Sequence, residues 1–189
     1  KDTPPSETAK FTLLPVAKVL LPDGSREVVP GSGEVGMVAQ SGMVPLGYYK
    51  DPEKSAKTFK EIDGTRYAFI GDMATIDADG TINLLGRGSN CINTGGEKVF
   101  PEEVEEALKL HPDVADALVF GLEDERFGNR VAGVVSLEQG GSADAGDILE
   151  ATRKLLASYK LPKDLLVVPV VPRAPNGKAD YKTAKSMMA

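Results

Sequence analysis

The chain has 189 residues, 41% of them hydrophobic and 26% charged, which is enough apolar material for a buried core in one domain or two modest ones. A formal net charge of -6 argues against nonspecific nucleic-acid binding; the single cysteine, Cys91, excludes an intramolecular disulfide framework, and the single histidine, His111, leaves no His-based triad and no His/Cys zinc cluster. No apolar run is long enough to span a bilayer and the opening KDTPPSETAK does not resemble a signal peptide, so the expected location is cytoplasmic, with no membrane association encoded in these residues.

From Phe11 to Ser41, short apolar runs such as AKVLL and GEVGMVAQS alternate with PDGS and VPGSG, whose Pro, Asp and Gly residues set turns; the pattern predicts a small β-meander. YYKDPEKSAKTF predicts one short helix, because Asp51 can cap it, Pro52 suits the first helical position and Glu53 the positive end of the dipole. ATIDADGTINLLG reads as a hairpin around Asp-Ala-Asp-Gly, its second arm ending at Gly86 and Arg87. A Gly-containing loop, GSNCINTGGEKVF, then leads into PEEVEEALKLH, a helix opened by Pro101 with Val104, Ala107 and Leu108 as its apolar stripe. VADALVFGLE and RVAGVVSLE are predicted strands, AGDILEATRKLLASY an amphipathic helix and DLLVVPVVP a third strand. The expected fold class is α+β: a β-rich, barrel-like piece over residues 1–87 that ends a larger domain, then a small, mobile α+β domain with a central sheet over 88–189, joined through Arg87 to Ser89.

Taken singly, the candidate functional residues are ordinary. Asp72 in YAFIGDMA reads as a turn residue after a strand, Arg87 as a surface arginine, TGGEK as a connector and Lys178 in PNGK as a solvated lysine. Their joint order is not ordinary. GSGEVG, GYYKDPEKSAKTF, YAFIGDMATIDADGTINLLGR, INTGGEKVFPEEVEEAL, HPDVADALVFGLEDERFGNRVAGVV, YKLPKDLLVV and PRAPNGKADYKTAK together closely resemble the carboxyl-terminal portion of acyl-CoA synthetases, members of the adenylate-forming superfamily, from about Phe11 to Lys185.

The resemblance implies a role for each of these residues. Asp72 would accept hydrogen bonds from both ribose hydroxyls of the adenylate, which a carboxylate with two acceptor oxygens suits, and Arg87 would help hold ribose and phosphate. Tyr67 matches an aromatic position but reads as core packing. Ser89, preceded by Gly88, stands at the hinge, where relatives commonly carry Asp or Lys. Asn93, Thr94, Gly95, Gly96 and Glu97 would line the pantetheine channel, Asn93 standing where many relatives carry lysine, and Lys98 reads as structural or solvated. Lys178 would be the catalytic lysine of the adenylation step, its mobile ammonium meeting the charge that gathers on carboxylate and phosphate oxygens.

The same resemblance implies ATP and Mg²⁺ as cofactors, coenzyme A as co-substrate and a fatty or steroid side-chain carboxylic acid as the acid; GGEKVFPEEVEEAL resembles synthetases of those acids. No metal ligand is assigned within this chain. The family's phosphate loop, its adenine- and magnesium-binding stretch and its acyl pocket belong to a large amino-terminal domain and do not occur in this sequence, so the chain is expected to be a fragment that is inactive by itself and whose partner is that missing domain. Two other functions fit the residues. One is a fatty acyl-AMP ligase delivering to a carrier protein, which the TGGEK loop disfavours relative to free CoA; the other is a noncatalytic interaction module, which the joint presence of Asp72, Arg87 and Lys178 disfavours.

Overall fold

In the computed structural model, which describes residues 10–12 and 15–188, the chain divides after Ser89 into two units, one of Thr8–Ser89 and one containing Asn90–Ala189. The first unit is built from β1 (Lys10–Thr12), β2 (Ala17–Leu20), β3 (Gly36–Gln40), α1 (Pro52–Thr58), β4 (Phe59–Ile62), β5 (Thr65–Ile76) and β6 (Thr81–Arg87). Its strands form one antiparallel sheet in the order β1-β6-β5-β3-β2, with β4 also paired to β5. Alternation along the strands sends Val19, Ala74, Ile76 and Ile82 into one apolar cluster, joined by Val28 from the β2–β3 connection, and Leu20, Ala39, Tyr67 and Phe69 into another. Tyr67 is thus a core residue, 6% exposed.

Local chemistry accounts for the connections in this unit. The Asp51 carboxylate accepts from the Lys54 amide at 2.9 Å and Pro52 occupies the first turn of α1. The turn at residues 77–80 closes through Gly80 N–H to the Asp77 carbonyl, 2.9 Å, with Gly80 at φ 86°. β5 is longer than the sequence pattern shows. It runs straight through Asp72, which therefore lies inside a strand and not in a turn beyond one.

The second unit contains β7 (Ile92–Thr94), β8 (Glu97–Val99), α2 (Pro101–Lys109), β9 (Val114–Asp124), β10 (Gly128–Leu137), α3 (Ala145–Thr152), β11 (Asp164–Val167) and α4 (Tyr181–Ser186). β9 and β10 pair antiparallel, β11 adds parallel to β10, and β7 with β8 forms a separate hairpin. The central parts of β9 and β10 are buried on both faces. Ala117, Val119, Val131 and Val135 join Val104 and Leu108 of α2 and Ile148 of α3, while Leu118, Phe120, Ala132 and Val134 join Val168, Val171 and Ala184 of α4.

Four further differences from the sequence-based expectation lie in this unit. The Gly-containing loop before α2 is the β7–β8 hairpin. The helix expected through Tyr159 stops at Thr152, whose hydroxyl donates back to the Ile148 carbonyl at 2.8 Å, and the chain then tightens, with Leu155 N–H reaching Thr152 O at 2.9 Å. The strand expected through Pro172 ends at Val167, because Pro169 has no N–H to extend the ladder. α4 is too short for periodicity to show, although Asp180, which accepts from the Thr183 amide at 3.1 Å, marks its start.

One half-buried carboxylate makes the second unit sensitive to pH. Glu105 of α2 accepts from the Val119 amide of β9 at 2.9 Å, and burial pushes its pKa up from 4.5 to about 7, with Glu102 adding to the rise and Arg173 and Lys109 opposing it. Between those values the folded state holds more protons than the unfolded state, so stability declines as pH rises through the window. Glu105→Gln keeps an acceptor for Val119 without the charge. It should be more stable than the parent protein near pH 8 and close to it near pH 4, as read from urea unfolding at the two pH values.

Candidate functional site

Asp72 and Arg87 face each other across the β5–β6 ladder, and Arg87 Nε lies 2.9 Å from Asp72 Oδ1. A second guanidinium nitrogen of Arg87 donates to the Ile70 carbonyl at 2.8 Å. Two irregularities aim this pair. Gly71, at φ 91°, bends β5 just before Asp72, and the β5–β6 register slips by one residue after Met73, opposite Gly86 at φ 119°. The side chains are 31% and 58% exposed, so their attraction is screened and worth about 1 kcal/mol or less. The Asp72 carboxylate is therefore held in place but not locked in its ion pair.

A cavity of about 840 Å³ borders Arg87 and is lined by Tyr48, Lys54, Phe59, Phe69 and Ile70 among others. The Tyr48 and Phe59 rings lie 5.5 Å apart and the Lys54 ammonium sits 4.1 Å over Tyr48. Among the described residues, no group of three His, Cys, Asp or Glu side chains could hold a metal ion, and no helix is long and apolar enough to cross a membrane.

Ser89 lies in a single 3-10 turn, Gly88–Asn90, between β6 and β7, and is the last residue of the first unit. A Cβ at Gly88 would sit 3.2 Å from the Met73 sulfur, a tight contact that the methionine side chain would have to relieve.

Asn93, Thr94, Gly95, Gly96 and Glu97 form the tip of the β7–β8 hairpin. Asn93 pairs with Lys98 and Thr94 with Glu97, and Gly95 and Gly96 make the two-residue turn at φ 58° and 91°, the positive values that glycine tolerates best. Thr94 is buried, while Asn93, Gly95, Gly96 and Glu97 are exposed. The turn is anchored to the β9–β10 connection: Gly95 N–H donates to the Phe127 carbonyl at 2.9 Å, and Asn129 Nδ2 donates to the Asn93 carbonyl at 3.4 Å. The Phe127 ring is flanked by the Lys163 ammonium at 4.4 Å and the Arg126 guanidinium at 5.0 Å. Nothing in periodicity or spacing marked Phe127 as the partner of the glycine turn.

Lys178 is exposed at the end of a tight hairpin loop. The Ala174 amide donates to the Lys178 carbonyl at 2.8 Å, the Gly177 amide to the Ala174 carbonyl at 2.8 Å and the Lys178 amide to Asn176 Oδ1 at 3.1 Å. Pro175 and Gly177, at φ 78°, supply the backbone angles this loop needs, and Arg173 bridges to Ala179 at its base. The expected site residues thus fall into four local groups: Asp72 with Arg87 and, separately, Ser89 in the first unit, the tip at 93–97 and the loop of Lys178 in the second.

Residues 103–178 match the AMP-binding enzyme C-terminal domain, so the chain carries that domain of the AMP-binding, adenylate-forming enzymes. Within that family it is similar to acyl-CoA ligases. It is 52% identical over 166 residues to the 3-oxocholest-4-en-26-oate--CoA ligase of Rhodococcus rhodochrous, covering 88% of this chain and 30% of that one. It is also 52% identical over 169 residues to the medium/long-chain-fatty-acid--CoA/3-oxocholest-4-en-26-oate--CoA ligase of Mycolicibacterium smegmatis, covering 89% and 31%. The crystal structure of ATP-bound MatB from Rhodopseudomonas palustris superposes with a TM-score of 0.76 at 31% identity, covering 91% of this chain and 34% of that one. The chain spans about 30% of the length of the curated relatives it matches.

The glycine turn yields a stability test. An alanine at Gly95 would hold φ at 58° and place its Cβ 3.1 Å from Phe127 Cδ1. The backbone conformation alone should cost about 1–2 kcal/mol, and displacement of Phe127 adds to it. Gly95→Ala should therefore lower the midpoint of denaturant unfolding.

Proposed function

We propose that this chain is the carboxyl-terminal part of an ATP-dependent ligase that activates a fatty or steroid side-chain carboxylic acid as its acyl-adenylate and transfers the acyl group to coenzyme A. The observation that carries this reading is the 52% identity to ligases named for fatty-acid and 3-oxocholestenoate substrates. The local geometry supports it, with a paired carboxylate and guanidinium in one unit and a solvent-open lysine on a rigid loop in the other. By itself the chain is inactive on this reading, and magnesium is held by the remainder of the ligase.

In the first half-reaction a carboxylate oxygen attacks the α-phosphorus of ATP, the new bond is an acyl phosphate, and the bond to pyrophosphate breaks. Negative charge builds on the oxygens around phosphorus, and the Lys178 ammonium, a compact cation with three donors, is brought to them. In the second half-reaction the thiol sulfur attacks the acyl carbon, AMP leaves, and the thiol proton passes to solvent. Asp72 accepts from the ribose hydroxyls and Arg87 supports the nucleotide during both. Between the steps the unit that starts at Asn90 turns about Ser89, which withdraws Lys178 and presents Asn93, Thr94, Gly95, Gly96 and Glu97 to the pantetheine arm. Two glycines at the tip leave room for that arm beside the backbone.

Lys178→Ala in the full-length ligase should slow acyl-adenylate formation about a hundredfold or more, as expected for loss of one preorganised electrostatic donor. Thioester formation from supplied acyl-adenylate should be nearly unchanged. Pyrophosphate release and thioester yield measure the two steps separately, and equal losses in both would remove Lys178 from its assigned role.

The hinge assignment has its own test. Proline at position 89 fixes φ near about -65° and resists the torsion that the rotation requires. Ser89→Pro should spare adenylate formation and block the thioester step, with circular dichroism confirming a folded protein. Undiminished acyl transfer to coenzyme A would defeat the assignment.

A further inference from the structure

The loop that carries Lys178 is settled internally by its own backbone bonds, but those bonds do not orient it against the sheet. That tie is made at its base. Arg173, whose backbone bridges to Ala179, sends its guanidinium onto Asp116 of β9 through Nε to Oδ2 at 3.1 Å and Nη2 to Oδ1 and Oδ2 at 2.7 and 2.9 Å, and Nη2 also approaches the Ala117 carbonyl at 3.5 Å. Asp116 is itself held, because Oδ1 accepts from the Ala117 amide at 2.8 Å. The contact joins residues 57 apart in sequence, and each side chain is about one-third exposed, 36% and 34%.

An isolated pair so exposed contributes little to stability. Geometry is a different matter: a two-pronged guanidinium–carboxylate contact fixes direction as well as distance, which a single ammonium cannot do. Asp116 lies at the start of the stretch of β9 that is buried on both faces, with Ala117 and Leu118 fully buried beside it. Arg173 thereby ties the lysine loop to a rigid part of the unit, five positions before Lys178 in the chain. On the far side of the loop, α4 is seated by Ala184, also fully buried.

We propose that Arg173 and Asp116 are positioning residues for the adenylation step: they set the direction in which the Lys178 loop projects from β9 and so deliver its ammonium to the reacting phosphate. This rests on the assignment of Lys178 made above. Neither residue touches substrate. Misplacement of a catalytic group by about 1 Å can cost on the order of a hundredfold, so a loosened loop should be felt in rate well before it is felt in folding.

The test uses the full-length ligase with Arg173→Asp, Asp116→Arg, the double exchange and Lys178→Ala. Each single exchange should lower kcat for adenylate formation about tenfold or more while leaving KM for ATP, thioester formation from supplied acyl-adenylate, and Tm nearly unchanged. The double exchange, which restores a pair of opposite charges, should recover a substantial part of the lost rate. Losses that fall equally on both half-reactions and track a lowered Tm would reduce the pair to a structural brace and overturn the proposal. Full adenylation activity in both single exchanges, with Lys178→Ala slow, would overturn it while leaving Lys178 in place. An unimpaired Lys178→Ala would remove the reading on which it rests, and the proposal with it.

Discussion

Burial of β9 and β10 on both faces is the constraint on which the second unit depends. A strand sandwiched between two apolar layers cannot slip by one residue without exchanging its two sets of side chains, so Ala117 and Val119 must meet α2 and α3 while Leu118 and Phe120 meet the layer of α4. With that register set, the strand ends become fixed points. Asp116 holds Arg173 at one end of β9, and the connection from β9 to β10 at the other end holds Gly95 through the Phe127 carbonyl. The two loops proposed to serve successive half-reactions are therefore anchored to opposite ends of one strand pair.

The first unit uses the opposite device. Its sheet carries irregularities where Asp72 and Arg87 meet: a positive-φ glycine on β5, another on β6, and a slipped register beside them. A regular ladder would align the two side chains with the pleat. The bulged one leaves Arg87 at the edge of the aromatic cavity lined by Tyr48, Phe59 and Phe69, with Asp72 paired to it. Weak mutual attraction in solvent leaves this pair easy to part, since a buried ion pair would lose far more on being separated.

Much of this was legible in the residues. Asp51-Pro52 marked the start of α1, Pro101 with its following glutamates marked α2, and the apolar runs in VADALVFGLE and RVAGVVSLE marked β9 and β10. The AMP-binding family was legible as well, because its signature is a set of short motifs in fixed order. The β7–β8 hairpin was hidden: three-residue strands around two glycines carry too little alternation to be told from a loop. The ends of α3 and β11 were missed for a related reason, since apolar periodicity continues past Thr152 and Val167 while a back-bonded hydroxyl and a proline stop the backbone.

What the sequence determined by itself was much of what neighbours in the chain govern: the capped start of α1, turns with positive φ at Gly80, Gly95, Gly96 and Gly177, and the apolar patterning that marks strands. These depend on backbone sterics and hydrogen bonds spanning a few residues, which residue type reports directly. Only the tertiary structure decided that Asp116 would receive Arg173, that Phe127 would anchor the glycine turn, and that Glu105 would be buried deeply enough to hold its proton toward neutrality. Each of those pairings or environments depends on which faces pack together across tens of residues, and the free energy that selects them is the burial of apolar area, which has no direction and leaves no local motif.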